Sequence, residues 1–100
     1  MKRAYICSPL RGDYAENIEK AKGYCRETAQ NGALPFAAHI YFIQFLDDAS
    51  PDQRATGMKM GLEWLKLCDE VHVYGNVISE GMAAEIEYAE KLGLPVIYYN

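Results

Sequence analysis

The stretch that decides the fold is residues 70–99, EVHVYGNVISEGMAAEIEYAEKLGLPVIYY. It begins with a hydrophobic run at 70–75 that predicts a buried strand, and it ends with a second such run at 95–99. Between them, residues 80–92 predict a helix that Gly93 ends, since glycine readily adopts the left-handed conformation after a helix. A strand, a helix and a strand in this order indicate a parallel sheet, because parallel neighbours need a long crossover.

Two more strands and a helix precede this unit. Residues 4–7, Ala-Tyr-Ile-Cys, form a short apolar run that stops at a serine and a proline, which predicts the first strand. Within 13–31, apolar or small residues recur at helical spacing and predict a helix. Residues 33–37 predict a second strand, and Pro35 favours an edge position for it, because proline cannot donate a backbone hydrogen bond.

The segment between residue 38 and the quoted stretch has a mixed pattern. Residues 39–49 are rich in apolar side chains without a clear period and indicate either a short helix or a lid. A further helix is predicted to begin with Ser50 as its N-cap and Pro51 in its first turn. Its buried stripe is predicted to consist of Met58, Leu62, Leu65 and Cys68, flanked by Trp64.

The alternation of strands and helices predicts the fold class. It indicates an α/β protein with one small parallel sheet and helices on both faces. Right-handed crossovers and a reversal after the second strand predict the strand order 2-1-3-4, as in a flavodoxin-like or Rossmann-like three-layer sandwich. The 100 residues, half of them hydrophobic, suit one core, so we expect a single domain over 1–100.

Composition argues against several kinds of partner. The formal net charge of −4 disfavours nucleic acid, since binding to phosphate backbones needs clustered lysine and arginine. No stretch reaches the roughly 20 apolar residues of a membrane span, and the first residues lead into a strand rather than a signal peptide. The cysteines lie far apart and indicate reduced thiols; they are Cys7, Cys25 and Cys68. We therefore expect a soluble cytoplasmic protein without a cofactor, a resident metal, a membrane or a nucleic-acid partner.

The loops after the first and third strands are expected to meet at one cleft. Residues 8–13 and 75–79 follow strands that are neighbours in the predicted order, and such a switch point is the usual ligand site of open α/β sheets. In the first loop, the N–H groups of a helix start attract an anion, Arg11 can clamp two oxygens, and Gly12 lets a ligand approach the backbone. The alternative is that Arg11 pairs with a surface carboxylate, either Asp13 or Glu16.

The last helix contributes two candidates to the same cleft. Ser79 is either a plain N-cap or a residue that helps its helix start to hold a phosphate, and the two roles can coexist. Glu85 lies at the border of the buried face predicted for the helix. Burial there would raise its pKa and leave a poorly solvated nucleophile, whereas the alternative is a partly exposed acid near the positive end of the helix.

Further candidates have structural alternatives. His39 either lines the cleft or acts there as an acid or base, and the alternative is a satisfied structural residue. Tyr5 lies in the first strand, where its hydroxyl orients Glu85 or simply packs in the core. His72, within a strand, is interpreted as structural. The acidic pair Asp47-Asp48 is interpreted as a solvated turn, with a metal there as the alternative. Candidates for a homodimer contact are the end at Leu94-Pro95 and the aromatic residues Tyr41, Phe42 and Phe45.

Three segments together resemble the nucleoside 2-deoxyribosyltransferase superfamily. They are residues 5–12, residues 62–69, and the run Ser79-x-Gly81-x-x-x-Glu85. The branch that looks nearest is the 2'-deoxynucleoside 5'-monophosphate N-glycosidases. The chain also resembles small relatives, many of them encoded by phages or prophages, that are grouped as the DUF4406 type.

This resemblance implies roles for the candidate residues. By analogy with the glycosidases, Arg11, Gly12 and Ser79 bind the 5'-phosphate, Glu85 forms a glycosyl-enzyme intermediate, and Tyr5 orients that glutamate. The rest of the substrate-binding set predicted from these segments consists of Ser8, His39 and Gly81. The implied ligand is a nucleotide or another phosphorylated (deoxy)ribosyl compound, which is cleaved, or transferred, at its N-glycosidic bond by a homodimer or higher oligomer.

Two features depart from the family pattern. The aspartate that assists the leaving base in the family directly precedes the Leu-Glu-Trp-Leu segment, and Gly61 stands at that place here. Loss of a positioned acid commonly lowers a rate by about 10²–10⁴-fold. The chain also ends at Asn100, before the segment that helps to complete a neighbouring subunit's site in longer relatives. Both departures keep a non-catalytic module, one that binds or sequesters a nucleotide, as the alternative function.

Overall fold

The computed structural model, which describes residues 1–99, has one four-stranded parallel sheet. Its strands are β1 (Arg3–Cys7), β2 (Leu34–Phe36), β3 (Glu70–Tyr74) and β4 (Val96–Tyr99). The order is β2-β1-β3-β4 and every neighbouring pair is parallel, so the predicted order is confirmed. β2 lies at an edge of the sheet, as Pro35 indicated.

Helices connect the strands, and side-chain caps define where the longer ones begin. They are α1 (Tyr14–Gln30), α2 (Ala38–Tyr41), α3 (Pro51–Lys66) and α4 (Glu80–Lys91). The side chains of Asp13, Ser50 and Ser79 each accept a hydrogen bond from the backbone N–H three residues later, which satisfies donors that the first helical turn leaves free. The ambiguous segment 39–49 contains most of α2 and a short 3₁₀ turn, Phe42–Gln44.

Alternate strand residues face two separate hydrophobic layers. On one face, Tyr5, Cys7, Val71 and Val73 pack with buried residues of α2, α3 and α4. On the other face, the cluster consists of Ala4, Ile6, Ala37 and Tyr74, with Tyr24 and Cys25 of α1 packed against it. This two-residue alternation with helices on both sides is the predicted three-layer α/β arrangement.

Some predicted core positions are corrected by the structure. In the α3 stripe Leu65 and Cys68 are buried, but Met58 is 45% exposed because it borders a cavity instead of the sheet. Phe42 is buried in the main core, so it does not belong to an exposed dimer patch. The aromatic side chains of Tyr41 and Phe45 are exposed.

The sequence also predicted surface residues for a homodimer contact and the absence of a membrane-spanning segment. Pro95 is exposed and Leu94 is half-buried. A homodimer contact through these residues, or through the exposed aromatic pair Tyr41 and Phe45, stays a prediction. None of the helices within residues 1–99 is long and apolar enough to cross a membrane.

A buried carboxylate on β3, that of Glu70, makes stability sensitive to acid. His72 Nε2 lies 2.6 Å from Glu70 Oε2, and Lys2 Nζ lies 3.4 Å from Glu70 Oε1. The hydrogen bond with His72, opposed by desolvation and supported by Lys2, lowers the pKa of Glu70 below its ordinary value of 4.5. Because the folded state favours the ionised carboxylate, this stabilisation is present above that ordinary value and is lost as the pH falls through the lowered pKa.

We therefore expect wild type to lose more stability than Glu70→Gln on acidification below the ordinary pKa of glutamate, 4.5. The free energy of unfolding of both proteins is measured by denaturant titration across this pH range. Glu63→Gln is a matched control, because Glu63 pairs with Lys66 on the helix surface. Equal acid sensitivity of wild type and Glu70→Gln would contradict the assignment.

Candidate functional site

The loops after β1 and β3 meet at the carboxyl edge of the sheet. A β-carbon at Gly75 would lie 3.2 Å from the ring of Pro9, which shows how tightly the two loops pack. Gly75 has φ +108°, so glycine suits both the turn and this close approach. Between the loops, α2, α3 and the start of α4, the chain encloses a cavity of about 450 Å³.

The cavity brings together most of the candidate residues. Those that line it are Tyr5, Ser8, Arg11, His39, Ser79, Gly81 and Glu85. Gly12 lies in the first loop with φ +102° but does not border the cavity. The loop that carries Arg11 and the helix that carries Glu85 therefore open onto one space, in agreement with the topology, while the functions of these residues stay predictions.

Glu85 is held from two sides. The hydroxyl of Tyr5, on β1, donates a hydrogen bond to Glu85 Oε2, and the thiol of Cys7 lies 3.4 Å from Oε1. Both donors point to this face of the sheet because residues 5 and 7 alternate with those that face α1. The carboxylate is thus oriented by β1 although it is carried by α4.

Burial controls the charge distribution around this carboxylate. Desolvation raises the pKa of Glu85, and the hydrogen bonds from Tyr5 and Cys7 oppose that rise. Desolvation, followed by the nearby carboxylate, raises the pKa of Tyr5 well above its usual range and also raises the pKa of the Cys7 thiol. The two donors therefore keep their protons, and any negative charge of the cluster resides on Glu85.

A histidine and a serine form a second polar pair in the cavity. His39 Nε2 lies 2.8 Å from Ser8 Oγ, which joins α2 to the end of β1. Burial lowers the pKa of His39 to about 4, so its ring is neutral at neutral pH. The pair can exchange hydrogen bonds with a ligand, but it does not supply a positive charge.

Arg11 pairs with a carboxylate that the sequence did not suggest. Its Nε lies 3.5 Å from Asp48 Oδ2, whereas Asp13 caps α1 and Glu16 pairs with Lys20 at 3.1 Å. The interpretation of Asp48 as part of a solvated turn is wrong, because its side chain is only 17% exposed and also accepts a hydrogen bond from Tyr14. Local spacing could not reveal this contact, since it depends on how the segment after α2 folds back.

The start of α4 forms another part of the wall. Ser79 Oγ accepts a hydrogen bond from the Met82 N–H at 3.2 Å, so it acts as the predicted N-cap and also lines the cavity. A β-carbon at Gly81 would meet only the end of the Met58 side chain, at 3.8 Å. A larger residue would therefore fit at position 81 without a steric clash, and glycine leaves more room in the cavity.

Sequence reasoning missed the remaining polar and apolar wall. Arg54 of α3 lines the cavity as a second cation. The apolar part of the cavity lining includes Ala38, Phe42, Ile43, Leu46, Gly57 and Met58. A cavity lined by both apolar and polar side chains suits a ligand with one hydrophobic part and one polar part.

Gly61 lies beside the Tyr5 and Glu85 pair. A β-carbon at this position would lie 3.2 Å from Tyr5 Oη and 3.4 Å from the β-carbon of Ala38. The site next to the tyrosine hydroxyl is therefore filled by neighbouring atoms. Within residues 1–99, no group of three or more histidine, cysteine, aspartate or glutamate side chains is arranged to hold a metal ion.

A family model matches nearly the whole chain. The model is described as "Domain of unknown function (DUF7768)" and matches residues 2–99. A search of curated proteins gives no significant match. The DUF4406-type grouping and the N-glycosidase branch suggested by the sequence are not tested by these findings and stay predictions.

Solved structures with a similar fold include two 2-deoxyribosyltransferases. The enzyme from Bacillus psychrosaccharolyticus has a TM-score of 0.70 and 23% identity, over 96% of this chain and 70% of its own length. The enzyme from Leishmania mexicana has a TM-score of 0.61 and 18% identity, over 99% of this chain and 64% of its own length. At this level of identity the likeness establishes the fold, in agreement with the superfamily resemblance.

Proposed function

The chain belongs to the DUF7768 family, and we propose that it binds a nucleotide or related phosphorylated (deoxy)ribosyl compound and cleaves or transfers its N-glycosidic bond through Glu85. One observation carries the proposal. The carboxylate of Glu85, oriented by Tyr5 and Cys7, borders the same cavity as the loop that carries Arg11. A nucleophile and an anion-binding loop that border one cavity match a substrate that has a sugar between a base and a phosphate.

Glu85 supplies the nucleophile in this proposal. One of its carboxylate oxygens attacks C1′ of the sugar, and the bond between C1′ and the base nitrogen breaks with its electron pair leaving on the base. The base takes a proton from water. A second water molecule then attacks C1′, its proton goes to the hydroxide left by the first water, and the bond between C1′ and the carboxylate oxygen breaks, which returns the carboxylate. In a transfer reaction the nitrogen of a second base attacks C1′ instead, and the proton of that nitrogen goes to the hydroxide. Oε1 is the more available oxygen, because the thiol of Cys7 is a weaker donor than the hydroxyl of Tyr5.

Charge and polarity indicate which residues bind the phosphate, the base and the sugar. Arg11, with the free N–H groups at the start of α4 behind Ser79, binds the phosphate. The apolar wall that includes Phe42, Leu46 and Met58 covers the base. Ser8 and His39 offer neutral hydrogen-bonding groups to the sugar or base.

The similar solved structures support the reaction class without establishing it. Both are 2-deoxyribosyltransferases, and the Bacillus enzyme is a biocatalyst suited to the synthesis of nucleosides. This chain spans 64% of the length of the Leishmania enzyme. The activity of the larger proteins is therefore part of the proposal for this chain.

A non-catalytic module that binds or sequesters a nucleotide is the second candidate function. The observation that favours it is Gly61, which stands where the resembled family has its base-assisting aspartate. Glycine has no side chain, so none from this position reaches a leaving base, and a β-carbon there would lie only 3.2 Å from Tyr5 Oη. His39 is neutral at neutral pH and supplies no replacement acid in its resting form.

A panel of 2'-deoxynucleosides and their 5'-monophosphates tests both candidates. We expect wild type to release free base from at least one monophosphate, which chromatography of the reaction mixture detects. Thermal-shift measurements on the same panel report binding, because a ligand that binds only the folded state raises the melting temperature. Recovery of intact ligand together with a thermal shift would support the binding module. The absence of both base release and a thermal shift would contradict both functions.

A further inference from the structure

We propose that Asp48 is a specificity-determining residue that competes with a ligand's phosphate for Arg11 and so lowers the affinity for phosphorylated ligands relative to unphosphorylated nucleosides. The inference rests on the proposed function, because it assumes that Arg11 is the cation that a phosphate meets. Asp48 lies outside the three segments that resemble the superfamily. Asp48 belongs to the turn between the 3₁₀ segment and α3, and it lines the cavity.

Arg11 already forms an ion pair with Asp48. Asp48 Oδ2 lies 3.5 Å from Arg11 Nε, and the two side chains differ in exposure, with 17% for the carboxylate and 61% for the guanidinium. The better-buried partner is therefore the carboxylate. A phosphate that approaches from solvent meets a guanidinium whose Nε side is already taken by an internal anion.

Asp48 is held in place independently of Arg11. The hydroxyl of Tyr14, the first residue of α1, donates a hydrogen bond to Asp48 Oδ2. The turn beneath it is fixed as well, because Asp47 Oδ1 accepts from Ala49 N at 2.9 Å and Gln53 Oε1 accepts from Asp47 N at 2.7 Å. The carboxylate is therefore positioned beside Arg11 by its own turn and does not simply follow the arginine side chain.

The charges of the cavity lining disfavour the binding of an anion. Three carboxylates line it, from Asp48, Glu80 and Glu85, against the two guanidinium groups of Arg11 and Arg54. Among residues 1–99, no carboxylate lies within ion-pair distance of Arg54, so Arg11 is the cation already neutralised by a fixed anion. A phosphate that binds Arg11 must displace Asp48 or bind beside it against like-charge repulsion. An uncharged nucleoside meets neither obstacle.

The test compares Asp48→Asn with Asp47→Asn in the full chain. Asp47 carries the same charge one residue away, and no ion pair to it is found among the described residues. Asparagine at 47 also keeps the oxygen that accepts from Ala49 N. Dissociation constants are measured by calorimetry for 2'-deoxynucleosides, their 5'-monophosphates and inorganic phosphate.

We expect Asp48→Asn to bind the monophosphate about fivefold more tightly than wild type, equivalent to about 1 kcal/mol for one partly exposed ion pair. Affinity for the nucleoside should stay within about twofold, and Asp47→Asn should change neither affinity by more than that, since Asp47 is exposed to water and an exposed charge without an ion pair contributes little. Unchanged or weaker monophosphate binding by Asp48→Asn would overturn the inference, as would an equal gain in Asp47→Asn.

Inorganic phosphate separates this inference from the proposed function. If no variant binds a nucleoside or nucleotide, the proposed function fails. In that case tighter phosphate binding by Asp48→Asn than by wild type and Asp47→Asn would still support competition for Arg11. Equal phosphate affinity in all three proteins, or no phosphate binding by any of them, would overturn the role of Asp48.

Discussion

Replacing Glu85 by glutamine is expected to lower the rate of base release by at least about 10⁴-fold, a loss of the size seen when a catalytic side chain of a covalent mechanism is removed. Glutamine has nearly the same shape and keeps an oxygen that can accept from Tyr5, but it is a very poor nucleophile. The rate is measured as kcat/KM for the best substrate of the panel. Release by Glu85→Gln at the wild-type rate would eliminate the covalent mechanism.

The same substitution is expected to stabilise the protein. Burial raises the pKa of Glu85, so its contribution to stability is present at low pH and is lost as the pH rises through the raised value. At neutral pH the wild-type protein therefore bears the desolvation cost of the carboxylate, and Glu85→Gln avoids it. We expect a higher melting temperature for Glu85→Gln, with a difference that grows from acidic to neutral pH. Glu87→Gln, on the exposed side of α4, serves as the control.

Replacing Tyr5 by phenylalanine is expected to lower kcat/KM by about 10²-fold, the loss typical of removing one well-placed donor from a catalytic site. Tyr5 acts as a positioning residue here, because its hydroxyl contacts Glu85 while the carboxylate reacts. The hydroxyl also holds the pKa of Glu85 down against burial. Its loss should therefore move the acidic limb of the pH profile to higher pH, since the carboxylate must ionise before it attacks.

The pH profile distinguishes this role from a purely structural one. Tyr5 is fully buried, so Tyr5→Phe also tests packing, and a simple loss of stability would lower activity without moving the acidic limb. Tyr24→Phe is the matched control. Tyr24 stacks on Tyr74 on the opposite face of the sheet, with ring centroids 4.0 Å apart. An unshifted limb in Tyr5→Phe would argue against orientation of Glu85 by the hydroxyl.

The fold could be predicted from sequence because each of its signals is local. The hydrophobic runs at 4–7 and 70–75, the caps Ser50 and Ser79, and Pro35 each depend on neighbours within a few residues. Strand order then followed from general rules for parallel sheets. The short helix within 39–49 was left open because its apolar side chains include residues that face the core, the cavity and the surface.

The wall of the cavity could be predicted only in part. Residues at the ends of strands, such as Ser8 and Ser79, are placed by topology and therefore by sequence. Asp48 contacts Tyr14 across 34 residues, and no periodic pattern encodes that contact. Met58 shares a helix face with Leu65, but the half of that face that carries Met58 borders the cavity rather than the sheet. Helical spacing identifies which residues share a face, and only tertiary structure identifies what that face meets.

The central claim is that the Arg11 loop and Glu85 act on one ligand within one cavity. A crystal structure of Glu85→Gln with the 5'-monophosphate that wild type cleaves fastest tests it most directly, because the variant should bind substrate without consuming it. We expect the phosphate to contact the Arg11 guanidinium and C1′ of the sugar to face the side chain of residue 85. A monophosphate bound outside the cavity, or inside it with C1′ turned away from residue 85, would contradict the account.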